Sequence, residues 1–122
     1  MRIGTDIIEI KRIAKFITSH GKICCGRIFT ANEWEYCTKK QRSEESFAAC
    51  FAAKEAVAKA FGVGFGNQLD WLSIEVLHDK NGMPQVQLDA KGNRLIKKLG
   101  AKEIQISLSH CKEYAIAFAV IY

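Results

Sequence analysis

The sequence predicts an α+β fold, in which helices lie over antiparallel strands. A long helical pattern over residues 43–61 and an Asn-Gly turn at 81–82 are the two clearest signals. Asn-Gly between short apolar segments is typical of a tight β-hairpin. Four such segments form two consecutive pairs, at residues 72–78, 85–88, 104–109 and 114–121. No linker or repeat divides the chain, so we expect a single domain over residues 1–122.

The N-terminal third predicts one strand and two short helices. Residues 2–8 suit a strand, and isoleucines on one face predict a helix over 11–18 that ends at His20-Gly21. Thr30 followed three residues later by Glu33 forms a capping-box pattern, which predicts a second helix through Cys37.

The long helix has a complete set of terminal signals. Ser43 is the predicted N-cap, and Gly62 is the predicted stop. One stripe of this helix is predicted to face the core, and it holds Phe47, Phe51, Lys54, Ala58 and Phe61. A neighbouring stripe of small residues ends in a carboxylate and an ammonium group, and it holds Ala48, Ala52, Glu55 and Lys59.

The C-terminal part predicts a helix over 91–99, ended by Gly100, and a closing pair of strands. The last strand, 114–121, is apolar on both faces and has alanine at alternate positions. Such a pattern predicts a central strand on which a helix packs closely.

Composition narrows the class of protein. Hydrophobic residues make up 48% and charged residues 25%, as in ordinary globular proteins. No apolar run approaches the roughly 20 residues of a membrane span, and Asp6 interrupts the stretch that a signal peptide would need, so we expect a cytoplasmic protein. Five cysteines without CxxC spacing predict reduced thiols.

The net charge of +5 is concentrated near the N-terminus. Residues 1–42 hold nine basic and four acidic residues, whereas the remaining 80 hold nine of each. Such a segment attracts an anionic partner, although a solvated surface without a partner explains the charge equally well. A nucleic-acid-binding module would require exposed aromatic residues among the basic ones, and here Phe47, Phe51 and Phe61 are assigned to the core.

Three positions carry polar groups that a core does not explain. Asp6 lies in an apolar strand, where a carboxylate needs a charged partner or metal unless it caps a helix or makes a structural hydrogen bond. Glu55 and Lys59 have i,i+4 spacing, whose simpler interpretation is a surface ion pair worth about 0.3–0.5 kcal/mol. Ser109-His110 ends a strand, where a lone histidine is usually structural. Together these groups permit, without requiring, a Mg²⁺–polyphosphate site.

Four motifs carry a resemblance that extends over most of the chain. They are GTDIIEIKRI at 4–13, RIFTANE at 27–33, FAAKEAVAKAFGVGFG at 51–66 and SLSHCKEYAIAFAV at 107–120. In order and spacing they resemble the holo-[acyl-carrier-protein] synthase family, the small bacterial phosphopantetheinyl transferases. Cys50 and Cys111 depart from it, since relatives often carry arginine and threonine there.

The resemblance implies a catalytic site. Asp6 and Glu55 would hold the Mg²⁺ that bridges the diphosphate of coenzyme A, with Lys59 beside the phosphates. Ser109 and His110 would contact the phosphates of coenzyme A. Glu55, directly or through a metal-bound water, is the candidate base, and Lys59 and His110 complete the catalytic set.

The resemblance also implies the partners. Lys40 and Arg42 would clamp the nucleotide end of coenzyme A. The acidic acyl carrier protein would dock on Arg12, Phe16, Lys22 and Arg27. The implied reaction transfers 4′-phosphopantetheine to a carrier-protein serine, releases adenosine 3′,5′-bisphosphate and supports fatty acid biosynthesis. It implies a homotrimer with the coenzyme A cleft between subunits. A scaffold that kept this fold without activity is the third alternative, which the retained Asp6, Glu55, Lys59 and His110 disfavour.

Overall fold

The computed structural model describes residues 1–122 and confirms the predicted α+β fold. In chain order the elements are β1 (Arg2–Glu9), α1 (Ile10–Cys25), α2 (Ala31–Thr38), α3 (Ser43–Phe61), a 3₁₀ turn (Trp71–Ser73), β2 (Ile74–His78), β3 (Pro84–Leu88), α4 (Ala90–Lys98), β4 (Ile104–His110) and β5 (Tyr114–Ile121). None of these helices combines the length and the apolar character that crossing a membrane requires.

The strands form two antiparallel sheets. One sheet has the order β1-β5-β4, and β2 pairs with β3 in the predicted hairpin. The predicted central position of β5 is therefore confirmed. Its alanines, such as Ala117, are buried, but Ile116 and Phe118 on the other face remain 43% and 44% exposed. Within one chain, α3 covers only one side of this sheet.

A close approach between β1 and α3 determines where the N-terminal strand lies. A Cβ atom added at Gly4 would stand 2.0 Å from the carbonyl oxygen of Ala56 and 2.7 Å from the backbone nitrogen of Ala60. The strand backbone thus rests directly on the helix, which only glycine against alanine allows. Because side chains alternate along a strand, Asp6 shares this face and meets α3 two residues further on.

Gly4→Ala is expected to destabilise the protein by about 1–3 kcal/mol or more, because backbone atoms of α3 cannot move aside as a flexible side chain would. Urea denaturation measures the loss. Gly66→Ala is the matched control, since an added Cβ there meets nothing within 4 Å. Equal stability of the two variants would contradict the close packing described for Gly4.

The predicted helix ends are partly confirmed. Gly62 ends α3 in the left-handed conformation (φ 79°), and Thr30 and Glu33 form the predicted capping box of α2. The prediction for Ser43 is wrong, since Arg42 occupies the N-cap position without a side-chain hydrogen bond. The predicted end of the first helix at His20-Gly21 coincides with a kink in α1: Gly21 has non-helical dihedral angles (φ 71°, ψ 178°), and a second short helical segment, which the sequence did not predict, follows it to Cys25.

The hairpin strand begins later than predicted. The prediction placed its start at Leu72, but the strand begins at Ile74, after the 3₁₀ turn. The backbone nitrogen of Asp70 donates to Ser73 Oγ at 3.1 Å, and the backbone nitrogen of Ser73 donates to the carbonyl of Asp70 at 3.0 Å. These local bonds compete with extended structure. The predicted helix near the C-terminus is confirmed as α4, and Asp89 caps it through the backbone nitrogen of Gly92 at 2.9 Å.

One ion pair lies wholly inside the core. Lys54, on the predicted core stripe of α3, donates from Nζ to Glu33 Oε1 at 2.5 Å and to the carbonyl of Ile28 at 2.6 Å. Both charged side chains are fully buried. Glu33 also accepts from the backbone nitrogens of Thr30 and Val76, each at 2.8 Å. This pair therefore joins α2, α3 and β2, and the helical pattern alone did not reveal it.

Candidate functional site

Most of the predicted catalytic residues line one cavity. It has a volume of about 840 Å³ and lies among β1, α1, α3 and the 3₁₀ turn. We call it the carboxylate cavity. From the predicted set, it brings together Asp6, Glu55, Lys59, Arg12 and Phe16.

Asp6 is held by α3. Its side chain is 15% exposed, and its Oδ1 lies 3.1 Å from Lys59 Nζ, which also donates to the carbonyl of Thr5 at 3.1 Å. The N-cap of α1 is Glu9, which makes no side-chain capping bond. Asp6 therefore does not cap that helix, which removes one of the structural roles that the sequence left open.

Glu55 faces the same cavity without an ion-pair partner. Lys59 pairs with Asp6 instead, so the simple i,i+4 surface pair expected for Glu55 and Lys59 is not formed. Partial burial and then the nearby Asp6 carboxylate raise the pKa of Glu55 above its ordinary value, while Lys59 acts in the opposite direction. Two carboxylates close enough to repel each other thus share a cavity with one ammonium group.

These two carboxylates fit a hard divalent cation whose remaining coordination positions are filled by water and substrate. No group of three or more histidine, cysteine, aspartate or glutamate side chains forms a metal cluster in this fold. Mg²⁺ is commonly held by one or two carboxylates, with water and substrate phosphates filling the remaining positions. Asp6 and Glu55 match that arrangement in chemistry, and their mutual repulsion favours a cation between them.

His110 lies in a second cavity of about 450 Å³, which we call the histidine cavity. His110 Nδ1 is 3.5 Å from Glu45 Oε2, and Arg42 contacts the other oxygen of Glu45 at 3.2 Å. Tyr36 and His78 stack in this cavity with ring centroids 3.8 Å apart. The ammonium group of Lys40 lies 4.6 Å from the centre of the Tyr36 ring. Lys40 and Arg42 therefore lie against the walls of the histidine cavity.

The structure does not gather all the predicted coenzyme A residues in one place. The two cavities share no lining residue, so Lys59 and His110 belong to different ones. Ser109 lines neither cavity; it lies opposite Ile116 on the exposed side of the sheet, because adjacent strand residues point to opposite faces. Lys22 and Arg27 are exposed and line neither cavity.

Several cavity residues were not predicted as functional. Phe51, assigned to the core, is only half-buried and stacks on Trp71 with centroids 5.0 Å apart, and both line the carboxylate cavity. The helical stripe correctly predicted that Phe51 points inward. It could not distinguish a residue of the core from one that lines a cavity. Trp71, Tyr36 and His78 carried no sequence signal, since their neighbours are distant in the chain.

Comparisons with known proteins agree on one family. The 4′-phosphopantetheinyl transferase superfamily profile matches residues 2–119. A holo-[acyl-carrier-protein] synthase of Ruminiclostridium cellulolyticum is 48% identical over 122 residues, covering 99% of this chain and 91% of the relative. One from Chlamydia pneumoniae is 47% identical, covering 98% and 95%.

Solved structures show the same similarity. The holo-[acyl-carrier-protein] synthase of Neisseria meningitidis has a TM-score of 0.90 at 30% identity, covering 99% of this chain and 97% of that one. The Helicobacter pylori protein, solved in complex with coenzyme A, has a TM-score of 0.86 at 30% identity, covering 98% and 99%.

Proposed function

Since this chain belongs to the 4′-phosphopantetheinyl transferase superfamily, we propose that it transfers 4′-phosphopantetheine from coenzyme A to a serine of apo acyl carrier protein. Adenosine 3′,5′-bisphosphate is the second product, and the holo carrier serves fatty acid biosynthesis. The observation that carries the proposal is the carboxylate cavity, in which Asp6, Glu55 and Lys59 face the same space. Residues 1–122 act as a single transferase domain.

The chemistry follows from these three side chains. Asp6 and Glu55 would hold Mg²⁺, which neutralises negative charge on the diphosphate of coenzyme A when bound. Lys59 reaches the same space from α3 and offsets charge that develops on the phosphate as the bond to the leaving group breaks. Glu55, whose pKa is raised, suits a group that accepts the proton of the attacking serine.

The histidine cavity would take the nucleotide end of coenzyme A. Lys40, Arg42 and His110 supply positive or protonatable groups at its walls, and the Tyr36–His78 stack offers a flat aromatic surface. Because this cavity and the carboxylate cavity share no wall in one chain, a coenzyme A molecule that uses both kinds of residue fits best between two subunits. The predicted contact from Ser109 would likewise require a neighbouring subunit.

A homotrimer would meet that requirement. The face of the β1-β5-β4 sheet turned away from α3 exposes Ile3, Ile7, Ile116 and Phe118. A contiguous apolar face of this kind marks a protein interface. Multi-angle light scattering should give three times the chain mass, and a monomer at working concentration would refute the shared cleft.

The carrier protein would dock on α1. Arg12 and Phe16 line the carboxylate cavity, so a carrier protein docked there brings its serine to the reacting phosphate. Lys22 and Arg27 extend the basic surface beyond the cavity. All five cysteines are free thiols, which fits a protein that acts in the cytoplasm.

Intact-mass measurement tests the function directly. Purified protein with Mg²⁺, coenzyme A and a bacterial apo acyl carrier protein should convert the carrier to a form heavier by one phosphopantetheine. Omission of Mg²⁺ with a chelator present should stop the conversion. A carrier of unchanged mass under every divalent metal tried would refute the proposed activity.

A further inference from the structure

A third, smaller cavity lies between α4 and the loop that follows α3. It measures about 200 Å³, and its lining consists of Asn67, Gln68, Lys91, Arg94, Leu95 and Lys98. None of its three basic side chains forms an ion pair, and the lining contains no acidic residue. We call it the basic cavity. Its positive charge is thus available to a partner.

The surrounding sequence strengthens this charge. Residues 90–102 contain five basic residues and no acidic one, although the chain beyond residue 42 is balanced overall. Lys91, Arg94 and Lys98 have i, i+3 and i+7 spacing on α4, whereas Leu95 and Ile96 are buried. Burial of the apolar residues therefore fixes the basic side of the helix toward solvent.

A short segment of chain links the basic cavity to the carboxylate cavity. Gln68 lines the first and Trp71 lines the second, and three residues of chain separate their Cα atoms by at most about 11 Å. On its α1 side, the carboxylate cavity carries Arg12 and Lys15. Basic residues therefore lie on α1 beside the space proposed for catalysis and, beyond the 67–71 segment, on α4.

We propose that the basic cavity is a second docking contact for the acidic acyl carrier protein; this rests on the function proposed above. Contact at α1 alone leaves the bound carrier free to pivot about one helix. A second contact on α4 fixes the orientation in which its serine enters the carboxylate cavity. Charge complementarity of this kind also speeds association and makes it sensitive to salt.

A pair of matched double variants tests the proposal. Lys91→Glu with Arg94→Glu reverses two charges of the basic cavity. Lys97→Glu with Lys102→Glu reverses two exposed charges in the same region that line none of the three cavities described above. At low salt the first variant should raise the KM for apo carrier protein about tenfold, with the KM for coenzyme A unchanged. The control should stay within about twofold of wild type.

Binding of fluorescently labelled apo carrier protein, measured by anisotropy, gives the same comparison without turnover. Loss of affinity in the first variant alone supports the second contact, even if wild type transfers nothing and the proposed function fails. Equal loss in both variants would reduce the effect to general charge and overturn the proposal. A raised KM for coenzyme A in the first variant would also overturn it. So would a first variant that keeps its affinity for the carrier protein but loses binding to anionic vesicles or to single-stranded RNA.

Discussion

Glu55→Gln is expected to lower the turnover number by about 10³-fold or more while leaving the protein folded. The substitution keeps the shape of the side chain and removes its charge, so both a metal ligand and the candidate base are lost. Losses of 10²–10⁴-fold are typical for removal of a general base alone. The intact-mass assay under saturating coenzyme A measures this loss.

The same substitution should not destabilise the fold. Burial and the Asp6 carboxylate raise the pKa of Glu55 in the folded protein, so near neutral pH the ionised side chain opposes folding. Its neutral replacement removes that repulsion, and thermal stability should be equal to or above that of wild type. A loss of activity accompanied by a clear loss of stability would instead assign Glu55 a structural role.

Glu44→Gln provides the matched control on the same helix. Glu44 is exposed in the first turn of α3, forms no ion pair and lines none of the cavities described above. It should retain wild-type turnover. Asp6→Asn should behave like Glu55→Gln in the assay, because it removes the second proposed ligand; full activity of either variant would remove that residue from the metal site.

Lys54→Met is expected to have the largest effect on stability. It leaves the Glu33 carboxylate fully buried without its counter-charge, which typically costs about 3–5 kcal/mol. The backbone nitrogens of Thr30 and Val76 still donate to Glu33 but carry no full charge. Urea denaturation should therefore show a much lower midpoint for this variant.

Two comparisons separate this effect from a general loss of lysine. Glu33→Gln combined with Lys54→Met removes both charges and keeps an acceptor oxygen for one of the two backbone nitrogens, so it should recover part of the stability. Lys39→Met breaks the exposed Lys39–Glu35 pair and should cause no resolvable change. If Lys54→Met were as stable as Lys39→Met, the buried pair would not support the core as described.

Local signals predicted much of this fold because neighbouring residues decide them. The capping box at Thr30, the stop at Gly62 and the Asn81-Gly82 hairpin each depend on a few adjacent positions, and all are confirmed. Ser43 failed as an N-cap because Arg42 takes that position and makes no side-chain capping bond. The composition of a helix start does not reveal which residue begins the first turn.

Contacts between distant residues could not be predicted in the same way. Lys54 looked like one member of a core stripe, and its partner Glu33 lies 21 residues away in another helix. Apolar residues on both faces of β5 correctly indicated a central strand, but they do not distinguish a face covered by a helix from one left exposed in a single chain.

The sequence predicted which residues form the site better than it predicted how they are arranged. Asp6, Glu55 and Lys59 do share one cavity, as the resemblance implied. The pairing of Lys59 with Asp6 rather than Glu55 depends on the Gly4 contact that brings β1 onto α3, which no helical spacing encodes. Ser109 and His110 are adjacent in sequence, yet strand alternation sends them to opposite faces of the sheet.

Divalent cation binding is the most direct test of the central claim that Asp6 and Glu55 share one ion. Mn²⁺, titrated into the protein with coenzyme A and followed by electron paramagnetic resonance, reports bound and free metal without turnover. Wild type should bind one Mn²⁺ per chain, Glu44→Gln should match it, and Asp6→Asn and Glu55→Gln should each bind at least about tenfold more weakly. Wild-type affinity in both carboxylate variants would contradict the account.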